Sequence, residues 1–324
     1  MSTSVEEVLL DRRLVFVTGK GGVGKTSVAA AIAELAARRG QRTLVCEMDA
    51  KGALADALGA SSLEFEPREV EPNLFAMTMS TEDSLREYLR LFVKVPFIGK
   101  IGPLARTFDF VADAAPGVKE ILAVGKVCHE VREQNYDLVV VDAEATGHIV
   151  AQIGAPSVIR KLVQVGLVRD QTDWMLDLLH DPDTTGVAVV TTPEEMPVTE
   201  ALDLLERLPN ETGVHVSAFV ANRVLSPWFD DDARPIAAAL DEHHGALTES
   251  FGKGTTTVLA ASRIADARYR TGEGHLERLA DGAGDVPIVA VPELFTRATG
   301  RRVVTLVADA LADPGGGDGR GGAG

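Results

Sequence analysis

The sequence predicts a doubly wound α/β fold on a mostly parallel sheet of about seven strands, and three observations carry that expectation. Seven short runs rich in Val, Leu and Ile punctuate the chain. Most are continuously apolar rather than alternating, the pattern of strands covered on both faces. The segments between them, such as Thr26 to Arg39 and Glu194 to Leu208, have the spacing and Ala, Leu, Glu and Arg content of helices. A chain of 324 residues, 45% hydrophobic and 25% charged, carries enough apolar side chain to fill such a core.

In chain order the expected strands are Leu14–Thr18, Thr43–Glu47, Leu74–Met77, Leu138–Asp142, Val187–Thr191, Val214–Asn222 and Val286–Val291. The interval of about 82–134 is too long for one crossover helix and is broken at Pro96, Gly102-Pro103 and Pro116-Gly117. It is expected to be an inserted helical subdomain. A second helical block, about 151–180, follows the fourth strand and ends at the Asp181-Pro182 break. Residues 1–312 then form one domain, and the tail 313–324, DPGGGDGRGGAG, has too little apolar content to fold and is expected to be disordered.

The formal charge of -16 repels phosphate backbones and anionic lipid, so no nucleic-acid partner is expected. No run approaches the roughly 18 apolar residues that span a bilayer, and the opening MSTSVEEVLLDRR lacks the features of a signal peptide. A cytoplasmic protein without stable membrane insertion is the expectation. Cys46 and Cys128 belong to no C-x-x-C pair, which gives no support to a disulfide framework or zinc site within one chain. Cys46, in an apolar run, reads as core packing; a four-thiolate site shared between two copies stays open.

Chemistry concentrates at Gly19, Lys20, Gly21, Gly22, Val23, Gly24, Lys25, Thr26 and the following Ser27. The pattern G-x-x-x-x-G-K-T lies between an expected strand and an expected helix. Glycines let consecutive backbone N–H groups turn toward phosphate oxygens, and the helix N-terminus adds positive potential. Lys25 supplies charge to the outer phosphates, and the Thr26 hydroxyl is placed to ligate Mg²⁺. ATP and Mg²⁺ are the expected ligands. Asp142 ends the fourth strand, where a carboxylate can orient the water shell of magnesium, although an aspartate there is also often a turn residue.

The string GKGGVGKT resembles the signature of the ParA, MinD, nitrogenase-iron-protein and ArsA group, the deviant Walker A class of P-loop NTPases. The resemblance implies that Lys20 reaches the nucleotide held by a partner subunit, with ATP between the two. The segment DAEATGH at 142–148 resembles the D-T-A-P-T-G-H switch of the ArsA and tail-anchored-protein-targeting ATPases; Thr146, Gly147 and His148 match residue by residue. Gly147 would bring its N–H to the γ-phosphate. CEMDAKGALADALG is similar to the D-P-A-H-N-L-S-D-A-F-G switch, matching Asp49, Leu54, Asp56, Ala57 and Gly59. Asp49 then falls where the family places the carboxylate that orients or deprotonates the attacking water, and with Asp142 it would face magnesium through water. On its own, Asp49 also reads as a cap for the next helix.

Three departures stand out: Ala50 for Pro, Lys51-Gly52-Ala53 for Ala-His-Asn, and Glu144-Ala145 for Ala-Pro. They leave nucleotide binding intact and bear on the hydrolysis rate. VVTTPEEMP at 189–197 looks like the family's strand and loop, and PGVKE at 116–120 like the P-G-x-x-E helix start of its inserted subdomain. FVANR at 219–223 resembles the V-N-[QR] segment whose Asn holds adenine, which implies that role for Asn222; an Asn at a strand end is also a common turn residue. IVAVPELF resembles the P-L-x-P-E region that covers the base, with Pro292 and Glu293 as the implied contacts.

With one P-loop and no cysteine cluster, the chain is most similar to single-domain bacterial ArsA-like proteins. That resemblance implies an ATPase working as a homodimer, or as a heterodimer with a paralogous ArsA-like ATPase, that couples hydrolysis to its helical subdomain for a protein cargo or partner. The insert contains LFVKVPFIGKIGPLARTFDFV but no methionine, the residue that makes a client groove adaptable. Two other readings are kept: a weakly hydrolysing regulatory or scaffold subunit, and a positioning ATPase of the ParA or MinD kind. The latter shares the loop but not the T-G-H switch, and it normally needs a basic surface or an amphipathic membrane tail.

Overall fold

The computed structural model describes residues 5–49, 51–90, 117–163, 165–229 and 232–313. The interruptions expected at Pro96, Gly102-Pro103 and Pro116, the apolar string of the insert, Ala50 and the tail from 314 onward lie outside the described residues.

A short π-helical turn, Glu6–Leu10, leads into eight strands: β1 Leu14–Gly19, β2 Thr43–Glu47, β3 Arg68–Glu71, β4 Leu74–Thr78, β5 Leu138–Asp142, β6 Thr185–Thr191, β7 Val216–Val224 and β8 Ile288–Pro292. They form one sheet in the order β3-β4-β2-β5-β1-β6-β7-β8, every pairing parallel except that of β3 with β4. The doubly wound, mostly parallel architecture is as expected. The addition is β3, whose sequence REVE is charged and partly exposed, so no apolar run announces it. It returns to β4 through Pro72 and Asn73, the latter at φ 64, a left-handed conformation that asparagine tolerates.

The parity of β1 shows why its run is continuously apolar. Val15 and Val17 face one core layer with α1 (Lys25–Arg38), α2 (Ala53–Leu58) and the last helix, α11 (Arg301–Ala312). Leu14 and Phe16 face the other, with α4 (Val118–Arg132), α5 (Thr146–Leu162), α6 (Leu167–His180) and α7 (Glu195–Thr212). Burial on both faces leaves no place for alternating polar residues. Cys46 and Cys128 are fully buried in the second layer, which leaves neither sulfur able to reach another copy. Their burial pushes both thiols well above the ordinary range.

Within the expected helical insert, α3 (Thr81–Tyr88) begins at Ser80, whose Oγ accepts the Asp83 N–H at 3.2 Å. Gly117, at φ 92, precedes α4. The two helices are tied by buried Lys126, which donates to Glu87 Oε1 at 2.9 Å and Glu130 Oε1 at 2.6 Å. The block expected over 151–180 is two helices, α5 and α6, parted near Gly166 at φ 92; α5 begins earlier, at Thr146. The interval between β7 and β8 holds α8 (Ala233–Glu242), α9 (His244–Phe251) and α10 (Gly254–Ala283). Among the described residues no helix is long and apolar enough to cross a membrane.

Candidate functional site

The site lies where β1 hands over to α1, between β5 and β6, at the end of the sheet toward which the parallel strands run. Gly19 and Gly24 are required by contact as well as by conformation. A Cβ on Gly19, at φ 152, would stand 2.1 Å from the Val190 carbonyl oxygen; one on Gly24, at φ 95, would stand 2.5 Å from Asn222 Nδ2. Gly21 and Gly22 behave differently, since a Cβ on either would meet nothing within 4 Å. The loop is therefore gripped at both ends and open in the middle, with Val23 buried beneath it. Gly24 precedes α1 without a side-chain cap, so the first N–H groups of the helix, including the turn of Ser27, remain for an anion.

Lys25 is half-buried, and its Nζ approaches the Lys20 carbonyl oxygen at 3.4 Å. Burial lowers its pKa, the nearby cation of Lys51 adds to that, and Asp142 and Asp49 act the other way. Thr26 Oγ1 donates to Asp142 Oδ2 at 2.7 Å. Asp142 Oδ1 is buried with no hydrogen-bond partner among the described residues. Burial pushes the Asp142 carboxyl up to about 6, against the Thr26 hydrogen bond and the charge of Lys25, with Glu47 and Asp49 adding to the rise. An orphaned carboxylate oxygen beside a threonine hydroxyl fits a hard divalent cation that keeps several waters. No group of three or more His, Cys, Asp or Glu able to hold a metal occurs among the described residues.

Asp49 is exposed and ion-paired with Lys51. It stands close enough to affect the charge of both Lys25 and Asp142. The helix that Asp49 was expected to cap, if it did not serve the chemistry, is capped by Glu47 instead. Buried Glu47 accepts the N–H groups of Gly52 at 3.3 Å, Ala53 at 2.8 Å and Leu54 at 3.3 Å. A carboxylate five to seven positions before its N–H partners has no capping-box spacing, which is why the sequence does not reveal it.

The second switch is pinned to β1 by Thr18 Oγ1, which donates to the Glu144 carbonyl at 2.7 Å. Thr146 and Gly147 form the first turn of α5, and exposed His148 lies 3.8 Å from Glu144 Oε2. Lys20 turns to Glu200 of α7, and Thr146 Oγ1 donates to the same carboxylate at 2.7 Å. Glu200 is a site residue that no motif in the sequence reveals, because its partners lie 180 and 54 positions away.

Buried Asn222 donates from Nδ2 to the Val23 carbonyl at 2.8 Å and accepts the Arg223 N–H on Oδ1 at 3.0 Å. It thus braces the phosphate loop from β7. Arg223 is left-handed at φ 60, where the β7–β8 register shifts. Beyond it opens a cavity of about 900 Å³, lined by Thr192, Arg223 and Glu293 on one side and by Ile264, Arg268 and Leu276 of α10 on the other. Pro292 ends β8, and Glu293 donates its N–H to the Val224 carbonyl at 2.8 Å. A second, apolar cavity of about 330 Å³ lies among α3 to α6, lined by Leu85, Ile121, Ile159, Val163 and Met175.

A mostly parallel sheet, a glycine loop braced open at the end of its first strand, and a threonine–aspartate pair beneath it define a nucleotide-binding protein of the P-loop class. The protein-family model described as anion-transporting ATPase matches residues 12–173 and 167–243, and the chain belongs to that family. It is similar to the ATPase BagA of Mycobacterium tuberculosis, 29% identical over 222 residues, or 65% of each chain. It is also similar to the ATPase ASNA1 homolog of Entamoeba dispar, 26% identical over 268 residues, 68% of this chain and 80% of the relative. The ATPase get3 of Schizosaccharomyces japonicus is 32% identical over 149 residues, 45% of each. The match thus spans 65% of the length of the mycobacterial relatives.

Proposed function

We propose that the chain binds ATP with Mg²⁺ and hydrolyses it as one half of a dimer, coupling the state of the nucleotide to its helical subdomain. The observation that carries this reading is the placement of α5. Thr146 and Gly147 stand at its phosphate end, while Ile159 and, just past its last turn, Val163 line the apolar cavity at the other. The helix has 17 residues, is about 25 Å long and carries Pro156 within it, and as one continuous element it links a shift at the phosphates to the cavity.

The main-chain N–H groups of Gly19 to Thr26 hold the phosphates, and Lys25 neutralises the outer ones. Thr26 and Asp142 hold Mg²⁺, which when bound supplies charge stabilisation to the phosphoryl group. Asp49 orients the attacking water, and in the dimer Lys20 reaches the partner's nucleotide. The base enters the larger cavity, which Glu293 and the Arg223 next to Asn222 line; the roles of Asn222 and Pro292 rest on the resemblance. The apolar cavity is the place for a segment of a protein cargo or partner; its methionine, Met175, comes from α6 rather than from the insert. The test is magnesium-dependent turnover, with the oligomeric state followed in ATP and in ADP. Turnover no greater than that of Lys25→Ala, alone or with the natural partner, would sink the hydrolase reading.

One observation favours a second reading, a weakly hydrolysing subunit paired with a paralogous ATPase. The Asp49 carboxylate is engaged by Lys51, a cation where the resembling switch has an alanine. Tight nucleotide binding with negligible turnover alone and full turnover with the paralogue is the outcome that reading requires. Rapid turnover by the isolated homodimer excludes it.

A further inference from the structure

Glu200 joins three elements around the loop on one side chain. Its Oε1 takes the ammonium of Lys20 and its Oε2 takes the hydroxyl of Thr146, so the loop, the start of α5 and the second turn of α7 meet there. The hydrogen bond from Lys20, and then that from Thr146, hold the Glu200 carboxyl below its usual range. The Lys20 and Glu200 side chains are 34% and 28% exposed, respectively, so water screens their attraction. A pair of that kind biases a conformation without locking it, and a multiply charged anion displaces it readily. Among the described residues Lys25 has no such tie; it folds back on the loop itself.

The geometry points to Glu200 as a positioning residue that holds Lys20 and the start of α5 together until the terminal phosphate of a triphosphate takes the lysine. The inference rests on the reading of the loop as an ATP site. A carboxylate here occupies Lys20 as a phosphate oxygen would, so the lysine is withheld from the partner's nucleotide while the outer phosphate is absent. Once Lys20 leaves, Glu200 keeps the hydroxyl of Thr146, and the start of α5 is no longer tied through it to the loop. A diphosphate, without the outer group, leaves the contact in place.

Three variants separate the two contacts. Glu200→Gln keeps an acceptor for Thr146 and loses the charge that holds Lys20; Glu200→Asp keeps the charge; Thr146→Val removes only the hydroxyl. Thermal unfolding of each checks that the fold is intact. The first readout is the acetylation rate of Lys20 in nucleotide-free full-length protein, followed by peptide mass spectrometry. Glu200→Gln is expected to raise it roughly 2- to 5-fold, Glu200→Asp less, and Thr146→Val not at all. The second is calorimetric affinity for a slowly hydrolysed ATP analogue and for ADP. Glu200→Gln is expected to tighten the analogue roughly 2- to 5-fold and leave ADP unchanged. Unaltered Lys20 labelling overturns the contact, and equal changes for analogue and ADP overturn the displacement. If wild-type protein binds neither nucleotide while the labelling difference persists, the ATP reading and the displacement fail together and the Lys20–Glu200 contact stands.

Discussion

Thr26 gives its hydroxyl hydrogen to one oxygen of Asp142 at 2.7 Å, and the other oxygen of that buried carboxylate is left without a partner. Burial raises the Asp142 carboxyl from its ordinary 3.8 to about 6, so the folded chain holds that proton more tightly than the unfolded chain. Its contribution to stability is full below about pH 4 and is lost as pH rises through about 6. Asp142→Asn is expected to stabilise the ligand-free protein above pH 6 by on the order of 2 to 3 kcal/mol, with no gain below pH 4. Urea titrations at several pH values check this. The same variant is expected to lose the magnesium dependence of nucleotide binding.

The loop glycines divide by the space around them. Gly19→Ala drives a methyl group into the Val190 carbonyl and forces a left-handed φ, and is expected to cost about 2 kcal/mol or more of stability. Gly21→Ala meets nothing and is expected to leave thermal unfolding of the free protein within about 0.5 kcal/mol of wild type. Because its methyl group enters the open middle of the loop, it is expected to weaken ATP binding. Paired melting and binding measurements on the two variants decide the point.

Asn222→Ala removes the hydrogen bond to the Val23 carbonyl and leaves that oxygen unsatisfied, an expected loss of about 1 to 3 kcal/mol. Two roles for the side chain then give different binding patterns. If it acts only by bracing the loop, inorganic triphosphate and ATP lose affinity equally. A base contact makes the loss for ATP the greater. Calorimetry with both ligands separates these outcomes.

Lys126 is nearly inaccessible and stands between Glu87 and Glu130. Lys126→Met leaves two carboxylates facing each other without their cation, and is expected to cost on the order of 3 to 5 kcal/mol. Adding Glu130→Gln to it is expected to recover more than half of that loss. Asn135 Nδ2, which donates to Glu130 Oε2 at 2.8 Å, can donate equally to the glutamine. Urea midpoints of the single and double variants measure both.

What could be read from the sequence was what is local or continuous. The parallel strands announce themselves because burial on two faces demands unbroken apolar runs, and the phosphate loop because glycines must fall at fixed spacing. Strand β3 escapes because its residues are charged and its place is fixed by the neighbouring β4 rather than by its own burial. Glu47 and Glu200 escape for a related reason. Each acts on groups that the fold brings to it, and a lone glutamate in a strand or on a helix carries no periodic signal. Asn222 was marked through its resemblance to a base-binding segment, but its hold on the Val23 carbonyl is a property of β7 lying beside the loop.

The charged β3 also settles how one margin of the sheet meets other chains. Arg68, Glu69 and Glu71 make that margin short, antiparallel and irregular in register between Glu69 and Glu71. A foreign strand approaching there finds charge and a bulge instead of a straight row of free amides, which guards against runaway sheet extension. That margin is therefore poorly suited to joining two copies by lengthening the sheet.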